Sequence, residues 1–140
     1  MKNKSYEHNI FNVGKNFHGH LGPFLVLGLK AGKLLLEKIG KNPLTSVIVA
    51  ELPQKRPFSC FIDGIQVTVG CTLGKLNIFL HSGKGIKIYY KCNNKIAILV
   101  VKENILKEVL HSVKSKEEMV KESEKIWSSD SSRLFDLRIV

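Results

Sequence analysis

The sequence predicts an α+β domain, with helices packed on an antiparallel or mixed sheet, as one domain over residues 1–140. Three observations carry this. Apolar residues recur at helical spacing in some segments and as β-branched runs in others. Three short strand-like segments follow one another across Gly- and Asn-containing turns. The order α-β-α-β-β-β-α-α-β mixes turn-joined strands with helices, which is α+β rather than doubly wound α/β.

Residues 21–39 read as a helix. Pro23 suits the first turn, where its missing N–H would have no partner anyway. Lys30, Lys33, Glu37 and Lys41 mark a wet face. Leu21, Leu25, Gly28, Gly32, Leu35 and Ile39 mark the opposite one. Its glycines cost helix propensity and predict the close approach of a neighbouring backbone. "TSVIVAEL" (45–52) is a continuous β-branched run, the pattern of a buried strand. Residues 59–69, "SCFIDGIQVTV", carry β-branched residues near their end, but the 60/63/64/67 spacing favours a helix with Ser59 as its cap. Strands follow at 76–81, 86–91 and 95–101, separated by Ser82–Gly85 and Asn93–Asn94. Gly and Asn tolerate the positive φ of hairpin turns. "KIAILVV" is apolar at successive positions, so it belongs inside the sheet. Residues 103–113 and 116–127 are amphipathic helices, and "LFDLRIV" closes the chain as a strand.

Composition narrows the classes. No secretory signal pattern opens the chain, and the most apolar run, Phe24 to Leu29, is far below the roughly 20 residues of a membrane span. A soluble cytoplasmic protein with no membrane association is expected. The cysteines Cys60, Cys71 and Cys92 are too few and too oddly numbered for a disulfide framework. The net charge of +10 lies wholly in residues 1–100, with 14 Lys/Arg against 4 Asp/Glu. A basic nucleic-acid-binding or scaffold protein is the alternative that this charge raises. Only Arg56 among those 14 is arginine, and the lysines are scattered, which argues against nucleic acid. Solvated lysines, or a field steering an anionic small molecule, remain.

Three motifs carry candidate chemistry. "GCTLGK" (70–75) invites a phosphate-loop reading, but only three residues separate Gly70 from Gly74 and Leu76 stands where a hydroxyl is required. Nucleoside triphosphate hydrolysis is excluded, leaving a small anion nest beside Lys75 or a plain turn. "FHGHLGPF" (17–24) places His18 and His20 just before a helix. In an extended segment their rings diverge, unless Gly19 bends the chain. Cys60 opens the next helix, with Asp63 one turn on. The dipole and free N–H groups at Ser59 and Cys60 would favour a thiolate there, against the commoner reading of an inert buried thiol. Cys71 follows Cys60 by eleven residues, about 16 Å along a helix. One metal would therefore hold both only if the helix broke early or a second protomer contributed.

Together, "FHGHLGPFLVLGLKAG", "CFIDGIQVTVGCTLGK" and "HSGK" resemble the core domain of the formylmethanofuran dehydrogenase E-subunit family. The resemblance runs from about His18 to the closing strand. It implies an α+β homodimer and a site made by His18, His20, Cys60, Asp63, Gln66, Cys71, Thr72 and Lys75. Of these, His18, His20, Cys60 and Cys71 would be metal ligands, with zinc the expected divalent metal. Cys60, Asp63 and Lys75 would be catalytic, and Gln66 and Thr72 would bind a cofactor. The implied context is one-carbon, methanogenesis-related metabolism alongside other formylmethanofuran dehydrogenase subunits. Redox chemistry there belongs to the component that carries a molybdenum or tungsten pterin, so this chain would be accessory. Many relatives read H-G-H-x-C-P, whereas here Gly22 precedes Pro23, so one thiol is missing. Many also append a zinc finger, and no C-x-x-C occurs in these 140 residues.

Overall fold

The most apolar helix of the sequence sits at the centre of the structure. In this computed structural model, which describes residues 4–140, α1 (Lys4–His18) precedes α2 (Pro23–Ile39), and Pro23 occupies the first helical turn of α2 as expected. Every residue from Phe24 to Leu29 is buried, so α2 is covered on several sides rather than on one stripe. Its glycines receive α3 (Cys60–Val69). A Cβ on Gly28 would lie 2.1 Å from the Phe61 carbonyl oxygen, and one on Gly32 would lie 1.6 Å from Thr68 Oγ1. Gly64 of α3 faces back, where a Cβ would lie 2.4 Å from the Leu29 nitrogen. The close approach expected of the glycine face is therefore made by α3 of the same chain, and that face is not available to a second copy.

The sheet is mixed. Its strands are β1 (Val47–Leu52), β2 (Ile78–Ser82), β3 (Lys87–Cys92), β4 (Lys95–Val101) and β5 (Phe135–Ile139), ordered β2-β1-β3-β4-β5. β1 and β2 are parallel, joined through α3, and the other pairs are antiparallel. Asn93 and Asn94, with φ of 53° and 64°, make the β3–β4 hairpin turn. Ser82–Gly85 is not a hairpin turn, contrary to expectation. β2 pairs only with β1, and β3 joins β1 from the other side. A crossover unit leaves its first strand open on one edge, and local turn chemistry does not register that.

One face of the sheet meets the helices through Ile48, Ala50, Leu52, Ile88, Tyr90 and Leu99. The fully buried strand expected at 45–52 is buried on one face only, since burial alternates along β1. On the open face a row runs in register through Phe79, Val49, Tyr89 and Ile98, with Phe79 50% exposed.

α1 was not expected from the sequence. Phe11, Gly14 and His18 fall on one helical face. Phe11 stacks on Trp127 with centroids 5.1 Å apart, and Gly14 gives room to the Leu29 side chain. α4 (Glu103–Ser112), α5 (Lys116–Ser128) and the short α6 (Ser131–Leu134) complete the helical layer. Ser115 caps α5 by accepting the Glu118 N–H. No helix among the described residues is long and apolar enough to cross a membrane.

Candidate functional site

The end of α1, the start of α2 and the start of α3 meet around a cavity of about 30 Å³. Gly19, with φ of +98°, turns the chain sharply after His18. This bend brings the His18 and His20 rings to 4.6 Å between centroids, tilted by 50°, instead of splaying them. Both rings line the cavity with Cys60, beside apolar walls from Phe24, Val113 and Met119. A water needs roughly 10–15 Å³ of such space. The cavity as folded has room for an ion with one or two waters.

Asp63 orients His18. Its Oδ2 accepts from His18 Nδ1 at 2.5 Å, with the imidazole side chain only 10% exposed. A carboxylate only accepts, so Nδ1 carries the proton and Nε2 is the ring nitrogen left to meet another group. His18 Nε2 is buried and has no hydrogen-bond partner among the described residues. Hydrogen bonds to charged groups contribute about 1.5–3 kcal/mol. Asp63 is about one-third exposed, which moves this one to the low end. Gln66 continues the chain of contacts. Its Nε2 donates to Asp63 Oδ1 at 3.5 Å, and its Oε1 accepts from the Leu73 N–H at 3.0 Å.

Cys60 departs from the electrostatic expectation. Burial pushes its thiol up, and the neighbouring Asp63 charge adds to this, against a smaller opposing effect of Arg56. The free N–H groups expected at the helix start do not exist. The Ser59 N–H donates to Lys55 O at 3.0 Å and the Cys60 N–H to Pro57 O at 3.1 Å, because a preceding turn already winds into α3. Nor does the Ser59 side chain cap the helix. Cys60 is a protonated thiol at neutral pH, half-buried on the cavity wall it shares with His18 and His20.

The other predicted site residues stand at the far end of α3, about 15 Å away by helical rise. Cys71 is fully buried, and burial pushes its thiol up to about 11. It lies against Tyr90 and Cys92. The "GCTLGK" segment is a closed turn rather than an open nest. Its Thr72 N–H donates to Asn77 Oδ1 at 2.8 Å, its Lys75 N–H to Thr72 Oγ1 at 3.2 Å, and the Leu76 N–H to Leu73 O at 3.2 Å. Gln66 and Thr72 thus spend their polar groups on the fold, and Lys75 is exposed. The structure brings together His18, His20, Cys60 and Asp63, and separates them from Cys71, Thr72 and Lys75. Val113 and Met119, which also line the cavity, carried no signal in the sequence, because only the packing of the α4–α5 hairpin brings them there.

The donor set bears on a metal. The orphaned His18 Nε2, held by its carboxylate, has the form of a prepared ligand. Among the described residues, however, no three His, Cys, Asp or Glu side chains converge closely enough to hold an ion. The set suits an open site completed by water or substrate, not a closed structural shell.

Fold and cavity together define a two-layer α+β domain with a cavity lined by His18, His20 and Cys60, with Asp63 behind His18. The family model described as "FmdE, Molybdenum formylmethanofuran dehydrogenase operon" matches residues 17–136, and the chain belongs to that family. In structure it is similar to a tungsten formylmethanofuran dehydrogenase FmdE-like protein from Syntrophus aciditrophicus. The TM-score is 0.65 at 15% identity, covering 96% of this chain and 71% of that one. In sequence it is 34% identical over 95 residues to a probable S-adenosyl-L-methionine-binding protein of Archaeoglobus fulgidus, covering 57% of this chain and 26% of that protein. The chain therefore spans about a quarter of that curated relative.

Proposed function

We propose that this protein is an accessory, ligand-binding member of one-carbon (formylmethanofuran) metabolism, acting in the cytoplasm, and that its cavity takes a small ligand, foremost a divalent metal such as zinc. The observation that supports this reading is the buried, unpartnered His18 Nε2. A buried ring nitrogen without a protein partner costs free energy, and an ion or a polar group of a ligand would recover it. His18 Nε2 would be the first ligand, with His20 and Cys60 adjacent on the cavity wall. A metal there would supply Lewis-acid polarisation of a small bound molecule. Asp63 holds His18 Nδ1, and Cys60, a thiol in the protein, would have to lose its proton to serve as a metal ligand. The apolar walls limit water to the few molecules the cavity admits.

The same reading includes a homodimer. With the glycine face occupied by α3, the surface that suits a second copy is the open sheet face. Its apolar row is flanked by Glu51, Lys87, Lys91, Asp136 and Arg138, charges of both signs.

Titration of the metal-free protein with zinc, read by calorimetry, tests the metal reading. Stoichiometric uptake is expected, lost in His18→Ala and weakened about 10–100-fold in Asp63→Ala, as for other outer carboxylates. Absence of uptake, or uptake indifferent to His18→Ala, would refute it.

A further inference from the structure

The far end of α3 carries the "GCTLGK" motif, which the cavity does not use. Gly70, with φ of +79°, ends the helix, and the turn after it packs on the loop that follows α2. A Cβ on Gly70 would lie 3.2 Å from Pro43 Cβ and 3.6 Å from Lys41 Cε. Asn77 ties the two segments together. Its Nδ2 donates to Pro43 O at 2.8 Å and to Ser46 O at 3.2 Å, and its Oδ1 accepts the Thr72 N–H at 2.8 Å. The loops so joined carry three leucines that stand in water: Leu44, Leu73 and Leu76 are 85%, 73% and 73% exposed.

Leu76 holds φ at +57°, a left-handed conformation that costs free energy for a residue with a Cβ. The other non-glycine residues in that region, among those described, are Asn93 and Asn94, a type that tolerates it. The backbone around Leu76 is fixed. Its own N–H donates to Leu73 O at 3.2 Å, the Lys75 N–H to Thr72 Oγ1 at 3.2 Å, and the Leu73 N–H to Gln66 Oε1 at 3.0 Å. A strained leucine is thus held rigidly with its side chain outside the core. Strain kept in this way points to function, and exposed apolar groups rimmed by polar ones mark interaction sites.

The charge around these leucines has one sign. No Asp or Glu occurs between Glu37 and Glu51, or between Asp63 and Glu103. Lys41 and Lys75 lie exposed on the two loops, and Lys91 pairs in register with Val47, where β1 leaves the first of them. Glu37 lines a small pocket with Lys30, Lys33 and Ser131, on the α6 side of α2. We propose that this end of the fold is a docking surface for an acidic amphipathic segment of a partner protein, whose apolar residues cover Leu44, Leu73 and Leu76 while its carboxylates meet Lys41 and Lys75.

Other occupants fit these observations less well. Nucleic acid is gripped by arginine and by stacking aromatic side chains, and residues 38–47, 70–77 and 91–95 contain neither. A membrane surface is met by aromatic residues at the headgroup level, absent from the same segments, and a fluid bilayer makes no use of a turn fixed in shape. A second copy would set lysines of like sign against one another. A rigid turn suits a partner of defined shape, because a preorganised surface loses less freedom on binding. The docking surface stands apart from the cavity and works whether or not a metal binds there.

Amide NMR titration of the metal-free protein with a synthetic helical peptide, leucine along one face and glutamate beside it, tests the surface. The amides of residues 41–46 and 72–77 are expected to shift and saturate. Leu76→Asn suits the same φ, so it should melt no earlier than the parent yet bind the peptide about tenfold more weakly. Leu110→Ser on α4, at a leucine 39% exposed elsewhere, should leave binding unchanged. Several results would overturn the proposal: no shift at these loops, binding indifferent to Leu76→Asn, an equal response to the peptide with lysine in place of glutamate, or tighter binding of phosphatidylglycerol vesicles or of a single-stranded oligonucleotide. Concentration-dependent shifts of the same amides in the protein alone would also overturn it, by assigning the surface to a second copy. If Leu76→Asn does not fold, Leu44→Ser, at the most exposed of the three leucines, decides by the same readout. Weakened binding then supports the surface and unchanged binding overturns it.

Discussion

Replacing Gly28 by Ala probes the contact on which the site's geometry stands. The new Cβ would sit 2.1 Å from the Phe61 carbonyl oxygen, 3.0 Å from its carbon and 3.2 Å from Gly64 Cα. These are backbone atoms, so no rotamer change relieves the clash and the two helices must separate. Overpacking of this kind costs typically 1–3 kcal/mol, and rigid backbone on both sides places this one at about 3. Alanine returns about 1 kcal/mol of helix propensity. The net loss is about 2 kcal/mol, or roughly 8 °C in melting temperature for a domain of this size. Gly74→Ala is the control, because its Cβ would meet nothing nearer than 3.9 Å. That variant should stay within about 0.5 kcal/mol of the parent. Calorimetric melting of the three proteins is the assay. A Gly28→Ala protein melting at or above the parent would show that α2 and α3 do not touch here, and the placement of Cys60 and Asp63 beside His18 would fall with it.

Two further outcomes follow from the site. Thiol labelling of the native protein, located by mass spectrometry, should modify Cys60 first and faster as pH rises, since its thiol is raised. Cys71 and Cys92, 0% and 2% exposed, should react only on unfolding, and early labelling of either would contradict their placement. Gly22→Cys should tighten zinc binding in a chelator competition, because the backbone is extended at φ −136° and the new Cβ would approach His20 Cε1 to 3.1 Å. Unchanged affinity would count against a metal at this cavity.

The regular elements were legible because each carries its signal locally. Pro23, the apolar period of α2, the paired asparagines at 93–94 and the 60/63 spacing all report short-range physics, and the structure keeps them within about two residues. α1 was missed because its face is made by Phe11, Gly14 and His18, a period too sparse in apolar residues to stand out until Trp127 and Leu29 pack against it.

The sequence by itself determined the α+β class, the helical face that needed glycine, the failure of "GCTLGK" as a triphosphate loop and the residue types of the site. Those depend on composition and on spacing within one element. Tertiary structure alone decided that β1 lies between β2 and β3, since strand order is a matter of which edges remain open after the crossover. It decided that Asp63 serves His18, because that pair lies 45 residues apart in the chain and 2.5 Å apart in space. It decided the state of Cys60 as well. A helix start favours a thiolate, but burial, with the Asp63 charge one turn along α3 adding to it, outweighs that, and the burial does not exist until three helices have met.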